Sequence, residues 1–453
     1  GSTTYSTNEN TKWYFGNQAG LDFMTNPPTA LNNGSLNTNE GCASIADANG
    51  NLLFYTDGVT IWNKNHAVMA NGTGLAGNPS STQSGIIVKQ PGNPNIYYVF
   101  TQWPINGLKY SIVDMNLAAG LGSVTISNIS LSASTTEKLT AVKHCNGIDT
   151  WVITHMNGSN QFLAFLVTSA GVNPIAVISP IGTIHTGQIG YMKVSPNGKK
   201  IALGIYGPHR FELYDFDNIT GVVSNSLILA SINYPYGVEF SPDGTKLYGT
   251  VETGGLLPIY QWDLCAGSGT AIVASQTVIG NGQGALEHGA MQLGTDGKIY
   301  VCRYLSSTLG VINNPNALGV ACNYSAFGQS IAPKICMLGL PNFITSGFKP
   351  PPPPFTHTVS NAYGCQTASF TAPAVAQNFT VIGCAASGYS LTGLLWNFGD
   401  PLSGASNTST LTNPAHAFTN LGTYTTQLIL YYSCGGGTDT IKQIVNVNQP
   451  CIA

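Results

Sequence analysis

Residues Tyr236–Asp263, YGVEFSPDGTKLYGTVETGGLLPIYQWD, read as three short β-strands joined by turns. An apolar run ends at Phe240, the turn Ser241-Pro-Asp-Gly244 follows, and aromatic and β-branched residues fill 246–251. Proline presets φ for a tight turn and Gly244 supplies a positive φ, so the flanking runs are expected to pair as a hairpin. One such unit cannot bury its own apolar face, which predicts further copies.

Five other stretches resemble this unit. Residues 190–207 (GYMKVSPNGKKIALGIYG) and 289–305 (GAMQLGTDGKIYVCRYL) are close copies, 42–58 (CASIADANGNLLFYTDG) is a clear one, and 84–102 and 139–155 are looser. Their turn glycines are Gly50, Gly92, Gly147, Gly198, Gly244 and Gly297. A period of about 40–50 residues with about four strands in each repeat is typical of a β-propeller.

The repeats predict an all-β chain with a seven-bladed propeller. Six blades are expected at 41–80, 84–132, 138–184, 188–232, 235–281 and 287–334. The seventh is expected to combine Lys12–Gly16 and Ala19–Met24 with Leu338–Ile344 near the other end, because ring closure removes exposed sheet edges. The predicted domains are a loose N-terminus (1–11), the propeller (12–348), a polyproline II linker (349–355), a β-sandwich (356–449) and a tail (450–453).

Composition narrows the function classes. Only 8% of the 453 residues are charged and the net charge is -3, against about 25% charged residues in a typical soluble domain. Without a basic cluster, nucleic acid is an unfavourable partner. No apolar run reaches the ~18–20 residues of a membrane span. We therefore expect an exported, processed chain at the cell surface or outside the cell.

Ten cysteines without a CxxC pair favour disulfides over zinc or redox chemistry. Six fall in the propeller, where three bridges would allow 15 connectivities that the sequence does not resolve. The candidates are Cys42, Cys145, Cys265, Cys302, Cys322, Cys336, Cys365, Cys384, Cys434 and Cys451.

The C-terminal region carries three motifs, LLWNFGD (394–400), NPAHAF (413–418) and GTYTTQL (422–428). Together they resemble a PKD domain, which has a W-D-F-G-D-G core, an N-P-x-H-x-Y turn and a G-x-Y-x-V-x-L strand. Asn397 and Pro401 depart from that pattern, so the loop after Asp400 is expected to differ. The resemblance implies an immunoglobulin-like sandwich, with Trp396 in its core.

The N-terminal region is similar to the propeller-plus-PKD region of large secreted Bacteroidota surface proteins, of the gliding-motility-associated or type IX secretion cargo type. The similarity rests on KWYFG (12–16), NEGC (39–42), LFYTDG (53–58) and LGLPNF (338–343). It implies a surface or matrix role, and a C-terminal sorting domain that processing removes. Thr440, in Asp-Thr-Ile, resembles an O-glycosylation site of that phylum.

Polar residues are predicted to gather where each first strand begins and each second strand ends, because antiparallel pairing brings these positions to one face of a propeller. That face, the channel mouth, would present a pocket for a glycan, a peptide or a metal. The alternative is that these residues only cap strands and hydrate the channel. The candidates are Glu287, His288, Arg303, Trp103, His155, His209, Arg210 and Glu252, together with Glu40, Gln83, Glu137, Gln188, Tyr236 and Asp57. Glu287 and His288 are adjacent, so only one is expected to reach the channel.

Catalytic and metal motifs are weak. Glu252 and Glu287 could serve a glycosidase, but the sequence contains neither Gly-x-Ser-x-Gly nor His-Glu-x-x-His. No cofactor is predicted. Asp47–Asn51 and Asp215–Asp217 offer oxygen ligands for a structural calcium, although turn chemistry explains the first equally well.

Three functions remain open. The first is a non-enzymatic adhesion, matrix or surface-assembly module that binds a glycan or a surface protein, with the PKD domain as a spacer. The second is a self-assembling subunit of an extracellular filament or sheet, since head-to-tail contacts propagate when their rotation does not close. The third is a secreted carbohydrate-active hydrolase with an accessory PKD domain.

Overall fold

The computed structural model describes residues 8–252, 257–348, 353–360, 366–373, 391–432 and 438–447. The chain divides into two compact units. The first unit comprises residues 1–144 and 148–350, and the second comprises 351–453 with 145–147. The described part of the chain is all-β, and its sheets are antiparallel.

The described part of the first unit contains seven sheets, numbered along the chain. Sheet 1 has β1 (Lys12–Phe15), β2 (Ala19–Asp22) and β3 (Thr29–Leu31). Sheet 2 has β4 (Ala43–Ala46), β5 (Leu52–Thr56) and β6 (Ile61–Asn63). Sheet 3 has β7 (Gly85–Lys89), β8 (Ile96–Trp103), β9 (Gly107–Asp114) and β10 (Ser123–Ser132). Sheet 4 has β11 (Leu139–Lys143), β12 (Thr150–His155), β13 (Gln161–Thr168), β14 (Gly171–Val172) and β15 (Val177–Pro180).

The last three sheets of this unit have four strands each. Sheet 5 has β16 (Met192–Val194), β17 (Lys200–Ile205), β18 (Arg210–Asp217) and β19 (Val222–Ser231). Sheet 6 has β20 (Pro235–Phe240), β21 (Lys246–Val251), β22 (Ile259–Asp263) and β23 (Thr277–Gly280). Sheet 7 has β24 (His288–Leu293), β25 (Ile299–Arg303), β26 (Thr308–Ile312) and β27 (Tyr324–Ser330). Short helices are α1 (Gly269–Ala274) and the 3-10 turns Asn8–Asn10, Ala118–Gly120, Gly319–Cys322 and Thr345–Phe348.

The predicted hairpin of sheet 6 is confirmed. Phe240 pairs with Leu247, and the backbone N–H of Gly244 donates to the carbonyl oxygen of Ser241 at 2.9 Å. Gly244 has φ of +70°, as the turn requires. The third predicted strand is β22, which pairs with β21. Sheets 2 to 7 each lie within one of the six predicted repeat ranges, although sheet 2 has three strands rather than four.

The first strands of successive sheets contact one another in chain order. β4 contacts β7, β7 contacts β11, β11 contacts β16, β16 contacts β20, and β20 contacts β24. Sheet 1 packs against sheet 2 through β1 and β4. It also meets sheet 7, since Trp13 lies edge-on to Tyr300 with ring centroids 5.5 Å apart. Side chains of sheets 1, 2, 5, 6 and 7 therefore share one apolar cluster.

Residues 335–348, here called the closing segment, lie between sheets 7 and 2. Leu338 accepts a hydrogen bond from the backbone N–H of Ala290 (2.7 Å) and donates one to the carbonyl oxygen of Asn39 (2.8 Å). The sequence predicted that Leu338–Ile344 forms a strand with sheet 1. In the structure this stretch makes isolated bridges instead, to Cys42 and Ala141.

The closing segment continues past sheet 2 to sheets 3 and 4. Asn342 is 3% exposed, and its side-chain nitrogen donates to the carbonyl oxygens of Gly85 (3.3 Å) and Leu139 (2.7 Å). Thr345 donates to Ala141, and Ser346 accepts from the N–H of Lys143. The segment thus ties together the first strands of several sheets, which a local strand pairing would not do.

The described part of the second unit contains two sheets. Sheet 8 has β28 (Thr356–Val359), β29 (Thr367–Thr371) and β32 (Ala415–Ala417), and sheet 9 has β30 (Leu391–Asn397), β31 (Thr408–Ser409), β33 (Gly422–Tyr432) and β34 (Thr438–Val447). A 3-10 turn spans Pro401–Asn407.

The core of the second unit is aromatic. Trp396 is buried, as predicted, and Phe398 is buried as well. Phe355, which the sequence assigned to the linker, is 2% exposed and packs against Trp396 at 4.9 Å. Tyr424 donates its hydroxyl hydrogen to the carbonyl oxygen of Asn420 at 2.7 Å, a geometry found in the tyrosine corner of β-sandwiches.

The cysteines only partly follow the expectation of disulfides throughout. Cys302 of β25 is bonded to Cys336 of the closing segment, and Cys145 and Cys265 are also disulfide-bonded. Cys42 and Cys322, predicted as half-cystines, are buried free thiols instead. Cys42 is 0% exposed and belongs to the same apolar cluster as Trp13 and Tyr300, while Cys322 lies beside the Tyr248 hydroxyl. Cys365, Cys384, Cys434 and Cys451 lie outside the described residues.

Within the described ranges, no helix has the length and apolar character needed to cross a membrane.

Candidate functional site

Several residues predicted for the channel mouth lie next to the start of a first strand or the end of a second strand. Glu40, Glu137 and Glu287 each precede a first strand, and Glu252 follows the second strand β21. Within a sheet, antiparallel register brings the start of the first strand beside the end of the second, since Pro235 pairs with Val251 and His288 pairs with Arg303. We call the four glutamates Glu40, Glu137, Glu252 and Glu287 the acidic mouth.

Two of these carboxylates are buried and hydrogen-bonded. Glu40 is 6% exposed and accepts from the hydroxyls of Tyr236 (2.7 Å) and Ser80 (3.1 Å). Glu137 accepts from both the backbone N–H (2.9 Å) and the hydroxyl (2.7 Å) of Thr82. Tyr236 belongs to β20 of sheet 6, whereas Ser80 and Thr82 lie in the segment before β7 of sheet 3. These bonds therefore connect the ends of first strands from different sheets.

The carboxylates influence one another across sheet boundaries. Burial raises the pKa of Glu40 to about 8, and the charges of Glu137 and Glu252 add to this while the Tyr236 hydrogen bond opposes it. Burial also raises the pKa of Glu252, with Glu287 as the next cause. Like charges held close together favour partial protonation. The acidic mouth can therefore accept hydrogen bonds from ligand hydroxyls or attract a cationic group.

Aromatic side chains lie beside the acidic mouth. Burial, followed by the charge of Glu252, raises the pKa of the half-buried Tyr206 to about 12. The Tyr206 ring packs against Tyr234 at 5.4 Å. Trp103 ends β8 and is half-buried, whereas nearby Ile105 is 74% exposed. A ligand at this face would therefore meet apolar surface as well as carboxylates.

His288 and Arg303 are paired across β24 and β25 and face the interior. Burial lowers the pKa of His288 to about 4, and the Arg303 charge contributes. Arg303 is 3% exposed, donates to the carbonyl oxygens of Ala326 and Gln283, and covers the ring of Phe327 at 4.0 Å. Glu287 is half-exposed while His288 is buried, so Glu287 is the member of this adjacent pair that a ligand can reach.

His209 and Arg210 lie at the start of β18 and are partly exposed. Arg210 donates to the hydroxyl of Thr183 at 2.8 Å and lies 3.9 Å from the buried carboxylate of Glu212. Asp57 accepts from the N–H groups of Val59 and Thr60 in its own turn, whereas Gln83 connects first strands of two sheets. The side chain of Gln83 donates to Met192 and accepts from the N–H groups of Leu139 and Met192.

A buried cluster of Lys138, His155 and His185 lies beside the acidic mouth, and of these three only His155 was predicted. The rings of His155 and His185 stack with centroids 3.5 Å apart, and both are fully buried. Burial, then the charge of Lys138, lowers the pKa of His155 to about 3. Burial also lowers the pKa of Lys138 to about 7 against the attraction of Glu137. His185 lies in the segment before a first strand. Glu137 was predicted because it also precedes a first strand, so the same rule could have identified His185.

The two calcium candidates serve as turn and ion-pair groups. Asp47 accepts from the N–H groups of Asn49 (2.8 Å) and Asn51 (2.9 Å). Asp215 contacts Lys200, and Asp217 accepts from the N–H of Ile219. Across the described segments, no group of three or more His, Cys, Asp or Glu is placed to hold a metal ion.

Comparison with known protein families finds no match, and neither does comparison with curated proteins. Solved structures give distant similarities. Hydrazine synthase from Kuenenia stuttgartiensis is 17% identical, with a TM-score of 0.32, over 51% of this chain and 56% of that chain. A candidate 6-phosphogluconolactonase from Bacteroides uniformis is 14% identical, with a TM-score of 0.39, over 92% and 99%. TolB from Acinetobacter baumannii is 12% identical, with a TM-score of 0.34, over 64% and 62%. These likenesses carry no functional argument.

Proposed function

We propose that the chain is an extracellular, non-enzymatic binding module of the adhesion or matrix class. In this proposal sheets 1 to 7 are the blades of a seven-bladed β-propeller, and sheets 8 and 9 belong to a PKD-type spacer domain. The ordered contacts of the first strands and the closing segment between sheets 7 and 2 support the ring. Cys145, Cys265, Cys302 and Cys336 are disulfide-bonded, which supports an oxidising location.

The observation that carries the proposal is the acidic mouth. Four carboxylates from different sheets converge in a chain in which only 8% of residues are charged. Glu252 and Glu287 are partly exposed, so they can contact a ligand directly. Convergent polar groups beside apolar surface are typical of ligand sites, and a glycan or a surface protein with hydroxyl or amine groups fits these acceptors.

A glycan and peptide array followed by titration calorimetry tests the binding function. We expect Glu252→Gln with Glu287→Gln to weaken binding about tenfold or more, because a hydrogen bond to a charged group contributes about 1.5–3 kcal/mol. Asp243→Asn is the matched control, because Asp243 lies in the turn at the opposite end of β21. Equal affinities for all three proteins would contradict the assignment. Turnover of a bound glycan that Glu287→Gln abolishes would instead support the hydrolase alternative.

A second candidate, self-assembly, rests on the outer strands of the seven sheets. β3, β6, β10, β14, β15, β19, β23 and β27 contain no charged residue, whereas natural edge strands usually carry charges that block edge-to-edge pairing. Ile126 of β10 is 52% exposed and Ile228 of β19 is 43% exposed. Electron microscopy across a concentration series tests this candidate. Ordered polymers that Ile126→Lys with Ile228→Lys disperses would support it, and monomers at every concentration would exclude it.

A further inference from the structure

Three buried side chains from three consecutive sheets meet in the interior of the first unit. Lys193 is on β16 of sheet 5, Glu239 on β20 of sheet 6 and Gln292 on β24 of sheet 7. Their exposed fractions are 1%, 2% and 2%. The Nζ of Lys193 is 3.4 Å from Oε2 of Glu239 and is hydrogen-bonded to Oε1 of Gln292.

The backbone holds the other two side chains in place. Oε1 of Glu239 accepts from the N–H of Phe240 at 3.0 Å, and Oε2 accepts from the N–H of Leu293 at 3.1 Å. The Nε2 of Gln292 donates to the carbonyl oxygen of Leu293 at 3.1 Å. The amine therefore faces a fixed carboxamide and a fixed carboxyl group. The oxygen that the amine contacts is bonded directly to the carboxamide carbon.

The protonation states suit reaction between the amine and the carboxamide. Burial lowers the pKa of Lys193, and the attraction of Glu239 opposes this only in part. Burial likewise raises the pKa of Glu239. Transfer of one proton from Lys193 to Glu239 gives a neutral amine, which is the nucleophilic form of lysine, next to a neutral carboxylic acid.

We propose that Lys193 and Gln292 form an intramolecular amide cross-link, with Glu239 as the proton carrier. The lone pair of the neutral Nζ attacks Cδ of Gln292 and forms the C–N bond. The protonated Glu239 donates its proton to Nε2, the Cδ–Nε2 bond breaks, and ammonia leaves. The Glu239 carboxylate then takes the extra proton from Nζ and is again a neutral acid. The net change is amine plus carboxamide to secondary amide plus ammonia, with no oxidant or other co-reactant.

The arrangement of Lys193, Glu239 and Gln292 differs from that of the other fully buried lysine at the first strands. Lys138 is 0% exposed and donates to the carbonyl oxygen of Ile189 at 2.9 Å. A peptide carbonyl is held in the backbone and offers no ammonia to release. Lys138 is therefore the matched control for burial without a neighbouring carboxamide. A cross-link at Lys193 would join sheets 5 and 7 covalently across sheet 6.

The test is the intact mass of the reduced, full-length protein, followed by peptide mapping. We expect a mass about 17 Da below the sequence mass, which is the loss of one ammonia, and a digest that contains one branched peptide joining residues 193 and 292. Glu239→Gln, which keeps the side-chain shape but cannot carry the proton, is expected to restore the full mass. Lys138→Met is expected to keep the loss.

Several results would overturn the cross-link. The first is a full sequence mass for the protein without substitutions. The second is a 17 Da loss that maps to another position, and the third is a loss that persists in Lys193→Met. If Glu239→Gln does not fold, the mass and branched peptide of the unmodified chain still decide the question. This result is independent of ligand binding at the acidic mouth, because the variants change no mouth carboxylate.

Discussion

Glu40 makes the stability of the protein depend on pH in a direction that a surface glutamate would not produce. Burial and two neighbouring carboxylates raise the pKa of its carboxyl group from 4.5 to about 8. The folded chain therefore binds this proton more tightly than the unfolded chain does. Between these two values the unfolded chain loses the proton first, so the contribution of Glu40 becomes steadily less favourable to folding as the pH rises.

Glu40→Gln removes this titration while keeping an acceptor for the Tyr236 hydroxyl. At about 1.36 kcal/mol per pKa unit, the interval from pH 5 to a folded pKa of about 8 corresponds to about 4 kcal/mol. We expect the free energy of unfolding of the variant, relative to the unmodified protein, to increase by about this amount between pH 5 and pH 9. Urea denaturation followed by tryptophan fluorescence at pH 5, 7 and 9 measures it.

Glu9→Gln is the control. Glu9 pairs with Lys89 at 3.4 Å and its side chain is 30% exposed, so we expect a change of about 1 kcal/mol or less at each pH. A constant difference between Glu40→Gln and the unmodified protein from pH 5 to pH 9 would refute the reasoning. It would mean that water or a rearranged hydroxyl solvates the ionised Glu40 in the folded chain.

Two further predictions concern the closing segment. Replacing Cys302 and Cys336 by serine is expected to lower the free energy of unfolding by about 2–4 kcal/mol, because the disulfide closes a loop with a sequence separation of 34 residues; an unchanged urea midpoint under oxidising conditions would count against it. Asn342→Leu leaves the carbonyl oxygens of Gly85 and Leu139 without their donor, so we expect a loss of about 2–4 kcal/mol, measured by the same denaturation. A loss below about 0.5 kcal/mol would indicate that water replaces the side chain.

Much of the fold could be predicted because its repeating unit is defined by local chemistry. The Ser-Pro-Asp-Gly turn fixes where β20 ends and β21 begins, and similar turns recur in the other sheets. Along each strand, apolar residues either alternate with polar residues or follow one another without a break. A short window of sequence is therefore enough to recognise a strand. The prediction that Leu338–Ile344 forms a strand with sheet 1 was wrong, because this stretch instead makes isolated bridges to Cys42 and Ala141.

The candidate site could be predicted only as a set of positions. The rule that first strands begin where second strands end identified Glu40, Glu137, Glu252 and Glu287. It could not separate the half-exposed Glu287 from the buried His288, because the two are neighbours in sequence and differ only in the direction of their side chains. It also missed His185, whose stacking on His155 depends on the path of a loop.

By itself, the sequence determined the all-β class, the hairpins and the approximate limits of the sheets, because turn geometry and strand patterning act over a few residues. The tertiary structure alone decided which charges meet. Lys193, Glu239 and Gln292 are separated by about fifty residues at each step in the chain, and the Tyr236 hydroxyl reaches Glu40 from a distant repeat. Hydrogen bonds and pKa values depend on distance and on exclusion of water, and both are set only when separate sheets pack together.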